Sequence, residues 1–195
     1  MMKNKRSKIP HLVSQSRLYP LGTPVIFTDG SYLFETFAKE YITHKKGLFI
    51  MAPSGVGKTY FIKSQKEKHW IDGDDLWKSA HAHPKDGWWL EPDEFMDEID
   101  RRSDMMTEQA KKLGFWIMGA SNFGLKPDAI VIPHWSTHKK YIKHRETHNY
   151  DGGATSDRLN QVLEHRKTIL RWEKKGVPKF RSVKEAVDYL TKKIK

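Results

Sequence analysis

Residues Ala52-Pro53-Ser54-Gly55-Val56-Gly57-Lys58-Thr59 combine glycines, an amine and a hydroxyl in the spacing of a phosphate-binding loop. Glycines at 55 and 57 let backbone N–H groups turn toward phosphate oxygens, where a Cβ would obstruct the approach. Lys58 supplies a point charge for the β and γ phosphates of a triphosphate, and the Thr59 hydroxyl is suited to ligate Mg²⁺. The expected ATP-binding set is therefore Pro53, Ser54, Gly55, Val56, Gly57, Lys58 and Thr59, with Ala52 in the first small-residue slot. A second chemical cluster, Asp72-Gly73-Asp74-Asp75, follows the next short apolar segment. Its carboxylates would serve a phosphoryl transfer or cap a helix, because Asp favours N-cap positions.

Such a loop has to leave a strand and open a helix, and the flanking residues read that way. GLFIMA precedes it and YFIKSQKEK follows, so a helix over 58–68 would present its N-terminus to an anion. HWID (69–72) reads as a second strand carrying the aspartates. Residues 76–92, rich in Trp and His and broken by Pro and Gly, suit a substrate-facing loop or short helix. Phe95, Met96, Ile99, Met106, Ala110 and Leu113 recur at helical spacing over 93–113. GFWIMGAS (114–121) and DAIVIP (128–133) read as buried strands. A helix with a basic face is expected over 135–148. A turn-rich loop follows (149–156), and Ser156 or Asp157 would cap a further helix running to about Lys175. VPKFRS (177–182) is strand-like, and Val183, Val187, Leu190 and Ile194 stripe a last helix.

Upstream, residues 1–22 read as a loosely ordered basic arm, PVIFT (24–28) as a strand and 32–45 as a helix. Residues 23–195 then form one domain. The expected fold class is α/β: a three-layer, doubly wound sandwich around a mainly parallel sheet, with ligands at the carboxyl ends of the strands. That puts the glycine loop and the Asp72–Asp75 cluster on one edge.

The 195 residues, 37% apolar and 30% charged, fit one soluble domain with a full core. The absence of cysteine excludes disulfides and thiolate metal sites and suits a reducing cytosol. No apolar stretch reaches the roughly 20 residues of a membrane span, and the basic start lacks the apolar core of a secretory signal. The net charge of +11 is unevenly placed. Residues 1–28 carry no acid, 72–108 hold twelve acids against four basic residues, and 163–195 hold eleven basic residues against four acids. Basic ends around an acidic middle suit a nucleic-acid partner; lysine-rich solvated helix faces would look the same.

A water-activating NTPase is expected to end an apolar strand in an acid, and neither FWIMGASN (115–122) nor DAIVIPHW (128–135) does. The pairing of the loop with Asp72-Gly73-Asp74-Asp75 resembles the P-loop kinases of hydroxyl-bearing substrates. Gluconate kinase and adenylylsulfate kinase carry a similar Asp-Gly-Asp, and phage polynucleotide kinase an Asp-Asp pair that lines up with Asp74-Asp75. The resemblance covers about residues 47–135 at motif level. It implies that Asp74 accepts the proton of the attacking hydroxyl, while Asp72 helps to hold Mg²⁺ or substrate. Kinases of this type also close a helical lid whose arginines grip the transferring phosphate. Residues 135–171 would be that lid, with Arg145 and Arg158 flanking the loop at 151–153 as its transition-state cations. Lys58, Asp74, Arg145 and Arg158 are thus the expected catalytic residues, and Thr59 with Asp72 the Mg²⁺ ligands.

Trp77, Trp88 and Trp89 would line the acceptor site beside Asp72, since unstacked bases stack on aromatic rings. Together with the basic arms they favour a nucleic-acid acceptor, DNA ahead of others. One version resembles phage kinases of hydroxymethylated pyrimidines in DNA, which would place the protein in a host cytoplasm. A kinase of free nucleotides or small metabolites, and a nucleic-acid-binding ATPase, remain open alternatives.

Overall fold

Short apolar runs without polar alternation fold here as strands buried on both faces, as parallel sheets require. In a computed structural model describing residues 38–79, 93–120, 124–148 and 153–194, they form β1 (Leu48–Met51), β2 (Trp70–Asp72), β3 (Trp116–Gly119), β4 (Ala129–Val131) and β5 (Lys179–Phe180). The strands build one sheet in the order β2-β3-β1-β4-β5, and every neighbouring pair is parallel. β1 sits at the centre, with Leu48 opposite Trp116 and Met51 opposite Gly119 on one side, and Met51 opposite Ile130 on the other. The expected arm 1–22, the strand 24–28 and the residues Trp88 and Trp89 lie outside the described residues.

Among the described residues the chain also forms α1 (Lys58–Ser64), α2 (Gly73–Ser79), α3 (Asp93–Lys112), α4 (Trp135–Glu146), α5 (Leu159–Lys174) and α6 (Val183–Lys192). Alternation along the strands divides the core in two. Phe49, Met51, Ile71, Ile117 and Ile130 pack with Leu76 and Trp77 of α2, Met105, Met106 and Ala110 of α3, and Ile169 and Trp172 of α5. Leu48, Ile50, Trp70, Trp116, Met118 and Val131 pack instead with Val183, Ala186, Val187 and Leu190 of α6 and with Phe61 and Ile62 of α1. The fold is therefore a three-layer α/β sandwich with an all-parallel sheet. Each fully buried large side chain contributes about 1.5–3 kcal/mol to holding the layers together. No helix among the described residues is long and apolar enough to cross a membrane.

Several boundaries differ from the sequence reading; of the helix expected over 32–45, the described part is helical at 38–40 and not at 41–45. α1 stops at Ser64, short of Lys68, because Gln65 turns extended (φ −73, ψ 133) and the chain must reach back for β2. Neither Ser156 nor Asp157 caps α5. Ser156–Arg158 form a 3₁₀ turn, Ser156 bonds Glu146 through its N–H and hydroxyl, and α5 opens at Leu159 without a side-chain cap.

The topology determines where a ligand would meet the sheet. The chain leaves β1 toward β2 on one side, and leaves β3 toward β4 on the other. The carboxyl ends of β1 and β3 thus flank a crevice of the kind where open α/β sheets take their ligands.

Candidate functional site

The glycine turn leaves β1 into this crevice. Gly55 and Gly57 adopt φ +84 and +92, backbone that a Cβ disfavours, and the pair makes a concave run of peptide groups. Gly57 immediately precedes α1, so the helix N-terminus opens onto the same concavity. Lys58 is buried, with Nζ 3.1 Å from the carbonyl oxygens of both Ala52 and Pro53. Burial pushes its pKa below the ordinary lysine range; Asp74 and Asp72 pull it back up, and Arg145 opposes them. Both carboxylates therefore act on the amine that the glycine turn carries.

Asp72 is the joint between the two motifs. Its Oδ2 accepts the Thr59 hydroxyl at 2.8 Å, and its Oδ1 accepts the Asp74 backbone N–H at 3.2 Å. One carboxylate thus ties α1 to β2 and caps α2 at the same time, which fixes its geometry. Gly73 is a steric requirement: a Cβ there would stand 2.8 Å from the Trp77 ring and 2.9 Å from the Met118 carbonyl oxygen. Asp74 follows in the first turn of α2 with its side chain exposed.

The opposite flank is built by α4 and α5. Ser54 Oγ accepts from Arg145 Nη1 at 3.0 Å and from the Ala154 backbone N–H at 3.1 Å. Gly153, at φ +81, permits this approach, since a Cβ would sit 2.3 Å from Ser54 Oγ. The Ser54 carbonyl faces His138, whose Nε2 lies 2.8 Å away, while Arg166 Nη1 lies 2.8 Å from His138 Nδ1. Burial holds the His138 pKa down at about 4, against the Ser54 bond and with help from Arg166, Lys58 and Arg145. The ring is therefore neutral near pH 7. An arginine can only donate to Nδ1, so the proton sits on Nε2 and is given to Ser54. His165 on α5 is likewise held at about 4 by burial and donates Nε2–H to the Ala120 carbonyl beyond β3.

Of the residues singled out in the sequence, Ser54, Gly55, Gly57, Lys58, Thr59, Asp72, Asp74 and Arg145 come together at this edge. Pro53 and Val56 belong to the same turn, Val56 with its side chain in the core. One expectation requires correction. Trp77 lines no acceptor surface: it is fully buried in the core and donates Nε1–H to Thr107 Oγ1 at 3.0 Å. Arg158 sits on the 3₁₀ turn beside Asp157, 3.7 Å away, whereas Arg145 reaches the glycine turn. Sequence reading missed His138, His165 and the Ala154 N–H, and gave Arg166 no particular role. A histidine within a basic helix carries no spacing signal, and a backbone donor carries none at all.

No protein-family model matches the chain. No curated protein and no solved structure matches it either.

Proposed function

We propose that the protein is an ATP-dependent phosphotransferase that moves the γ-phosphate to a hydroxyl of a nucleic acid, DNA ahead of RNA. The observation that carries this reading is the Thr59–Asp72 hydrogen bond, which joins the glycine turn to the aspartate cluster in one site. Residues 52–59 cradle the triphosphate, with Lys58 as the cation beside its β and γ phosphates. The Thr59 hydroxyl and the Asp72 carboxylate are hard oxygen donors of the kind Mg²⁺ takes together with phosphate oxygens, and the ion would neutralise phosphate charge there.

Asp74 is the general base. It is exposed at the mouth of the site and close enough to Lys58 to influence its ionisation. The acceptor hydroxyl gives its proton to Asp74 as its oxygen bonds to the γ phosphorus, the bond to the bridging β–γ oxygen breaks, and ADP leaves. Arg145, at the rim beside Ser54, balances charge on the transferring group.

The nucleic-acid part of the reading is supported by the charge on α4. Lys139, Lys140 and Lys143 are exposed and make no ion pair among the described residues, unlike Lys167 and Lys184, which pair with Glu164 and Asp188. Tyr141 stands exposed beside them on the helix that carries Arg145. Basic side chains interleaved with an aromatic ring suit a phosphate backbone and a base.

The test is radiolabelled ATP offered with DNA, hydroxymethylated DNA, RNA, nucleotides and sugars. Label in DNA supports the full reading, and label only in a small acceptor keeps the transfer but removes the nucleic acid. Steady phosphate release with label in no acceptor contradicts the transferase.

A further inference from the structure

Glycines at 55 and 57 give the turn the conformations an anion site needs, but they also leave its peptide planes free to rotate. A peptide turned the wrong way would aim a carbonyl at the phosphate. Something outside the turn has to hold each plane, and the structure offers a holder for the one between Ser54 and Gly55. His138 and Ile142 lie four residues apart on one face of α4, beneath the turn. A Cβ placed on Gly55 would be 3.1 Å from Ile142 Cγ1 and 3.5 Å from His138 Nε2. The imidazole donates to the Ser54 carbonyl at 2.8 Å. That peptide is trans, so fixing the carbonyl toward α4 sends the Gly55 N–H to the side away from α4.

We propose that His138 is the positioning residue of the phosphate site, locking the Ser54–Gly55 peptide with its N–H inward, and that Arg166 locks His138. Arg166 is well placed for this role. Its Nη2 donates to the Pro133 carbonyl at 2.8 Å, its Cζ lies 5.3 Å from the centroid of the Trp135 ring, and its Nη1 donates to His138 Nδ1 at 2.8 Å. With Nδ1 occupied by a donor, the imidazole has one tautomer and one orientation. A neutral donor also holds the carbonyl without competing for the phosphate, as a lysine or arginine at 138 would. The chain Arg166–His138–Ser54 thus converts a permissive glycine turn into a preorganised anion cradle. This rests on the phosphate-binding reading of residues 52–59.

The experiment measures binding of inorganic tripolyphosphate to the full chain and to H138F, H138N and H138Q, each checked for folding by circular dichroism. The Gly55 amide is followed by ¹⁵N–¹H NMR. H138F removes the donor, H138N withdraws it from reach, and H138Q returns an N–H close to the Nε2 position. The expected result is binding about tenfold weaker in H138F and H138N, and recovery to within about threefold in H138Q. The ligand-induced downfield shift of the Gly55 amide should be present in wild type and H138Q and lost in H138N. Should H138F fail to fold, H138N against H138Q carries the same comparison. Equal binding and equal Gly55 shifts in wild type, H138N and H138Q would overturn the positioning role while leaving the phosphate site standing. An equal loss in folded H138N and H138Q would also overturn it, since the donor would not be what matters. Wild-type protein that binds no tripolyphosphate would remove the phosphate site itself, and the inference with it.

Discussion

On the α4–α5 flank of the glycine turn, Ser54 is bonded by His138, Arg145 and Ala154, and His138 in turn by Arg166. On the β2–α2 flank Asp72 is bonded twice, to Thr59 and to the Asp74 backbone, while the Asp74 side chain stands in solvent. One flank is fixed in place; the other ends in an open carboxylate. A phosphoryl transfer needs that asymmetry. The donor phosphates benefit from groups that do not reorganise, whereas the acceptor has to enter and leave past its base.

The sharpest way to break the comparison is at Asp74. Asp74→Asn should lower single-turnover label transfer by about 10²–10⁴-fold while MgATP affinity stays within about threefold. Retained transfer would show that the open carboxylate is not the base. Next in size is Trp77→Ala, which should cost about 3–5 kcal/mol of stability in urea unfolding, as for other large buried side chains. A loss well under that value would mean that Trp77 is available to an acceptor after all. The two arginines should then separate. Arg145→Ala should slow transfer by about 10²-fold, the scale of one lost charge-stabilising donor. Arg158→Ala should change transfer by less than about threefold, because its guanidinium stands beside Asp157 whereas Arg145 reaches Ser54 of the glycine turn.

A separate effect lies in the pH dependence of stability. His138 and His165 titrate at about 4 in the fold against an ordinary 6.5. Their contribution is complete above 6.5 and is lost as pH falls toward 4, because the unfolded chain takes up protons first. Asp100, raised to about 8 by burial and by Asp104 and Asp97, works in the other sense and loses its contribution as pH rises through 8. Between pH 4 and 6.5 two histidines therefore outweigh one aspartate, and unfolding free energy should climb with pH. H138Q should remove up to about 1.4 kcal/mol per pH unit of that slope. An unchanged slope would mean that His138 is not held neutral.

The sheet and the glycine turn were legible because each leaves a local mark. GLFIMA, FWIMG and AIVIP are too apolar to be anything but doubly buried strands. Gly55, Gly57, Lys58 and Thr59 occupy positions whose chemistry leaves little choice of residue type. The helix-cap reading of the aspartate cluster is met at Asp72, which accepts the Asp74 N–H, but its bond to the Thr59 hydroxyl left no mark in the sequence, because only the closure of β2 against α1 creates it. The α4–α5 flank was opaque. Its contacts join residues about 80 to 100 positions apart in sequence. Its donors, an imidazole within a basic helix and a backbone N–H after Gly153, leave no periodic trace. Trp77 was misread for a related reason: an aromatic among turn-forming residues looks exposed until α2 and α3 close over it.

The account stands or falls on whether the glycine turn holds a triphosphate. Isothermal titration of MgATP into wild-type protein and into Lys58→Ala, with circular dichroism on both, asks this directly. Saturable binding in wild type, weakened at least about tenfold in a folded Lys58→Ala variant, is the predicted result. No binding in wild type, or equal binding in the two proteins, would contradict it.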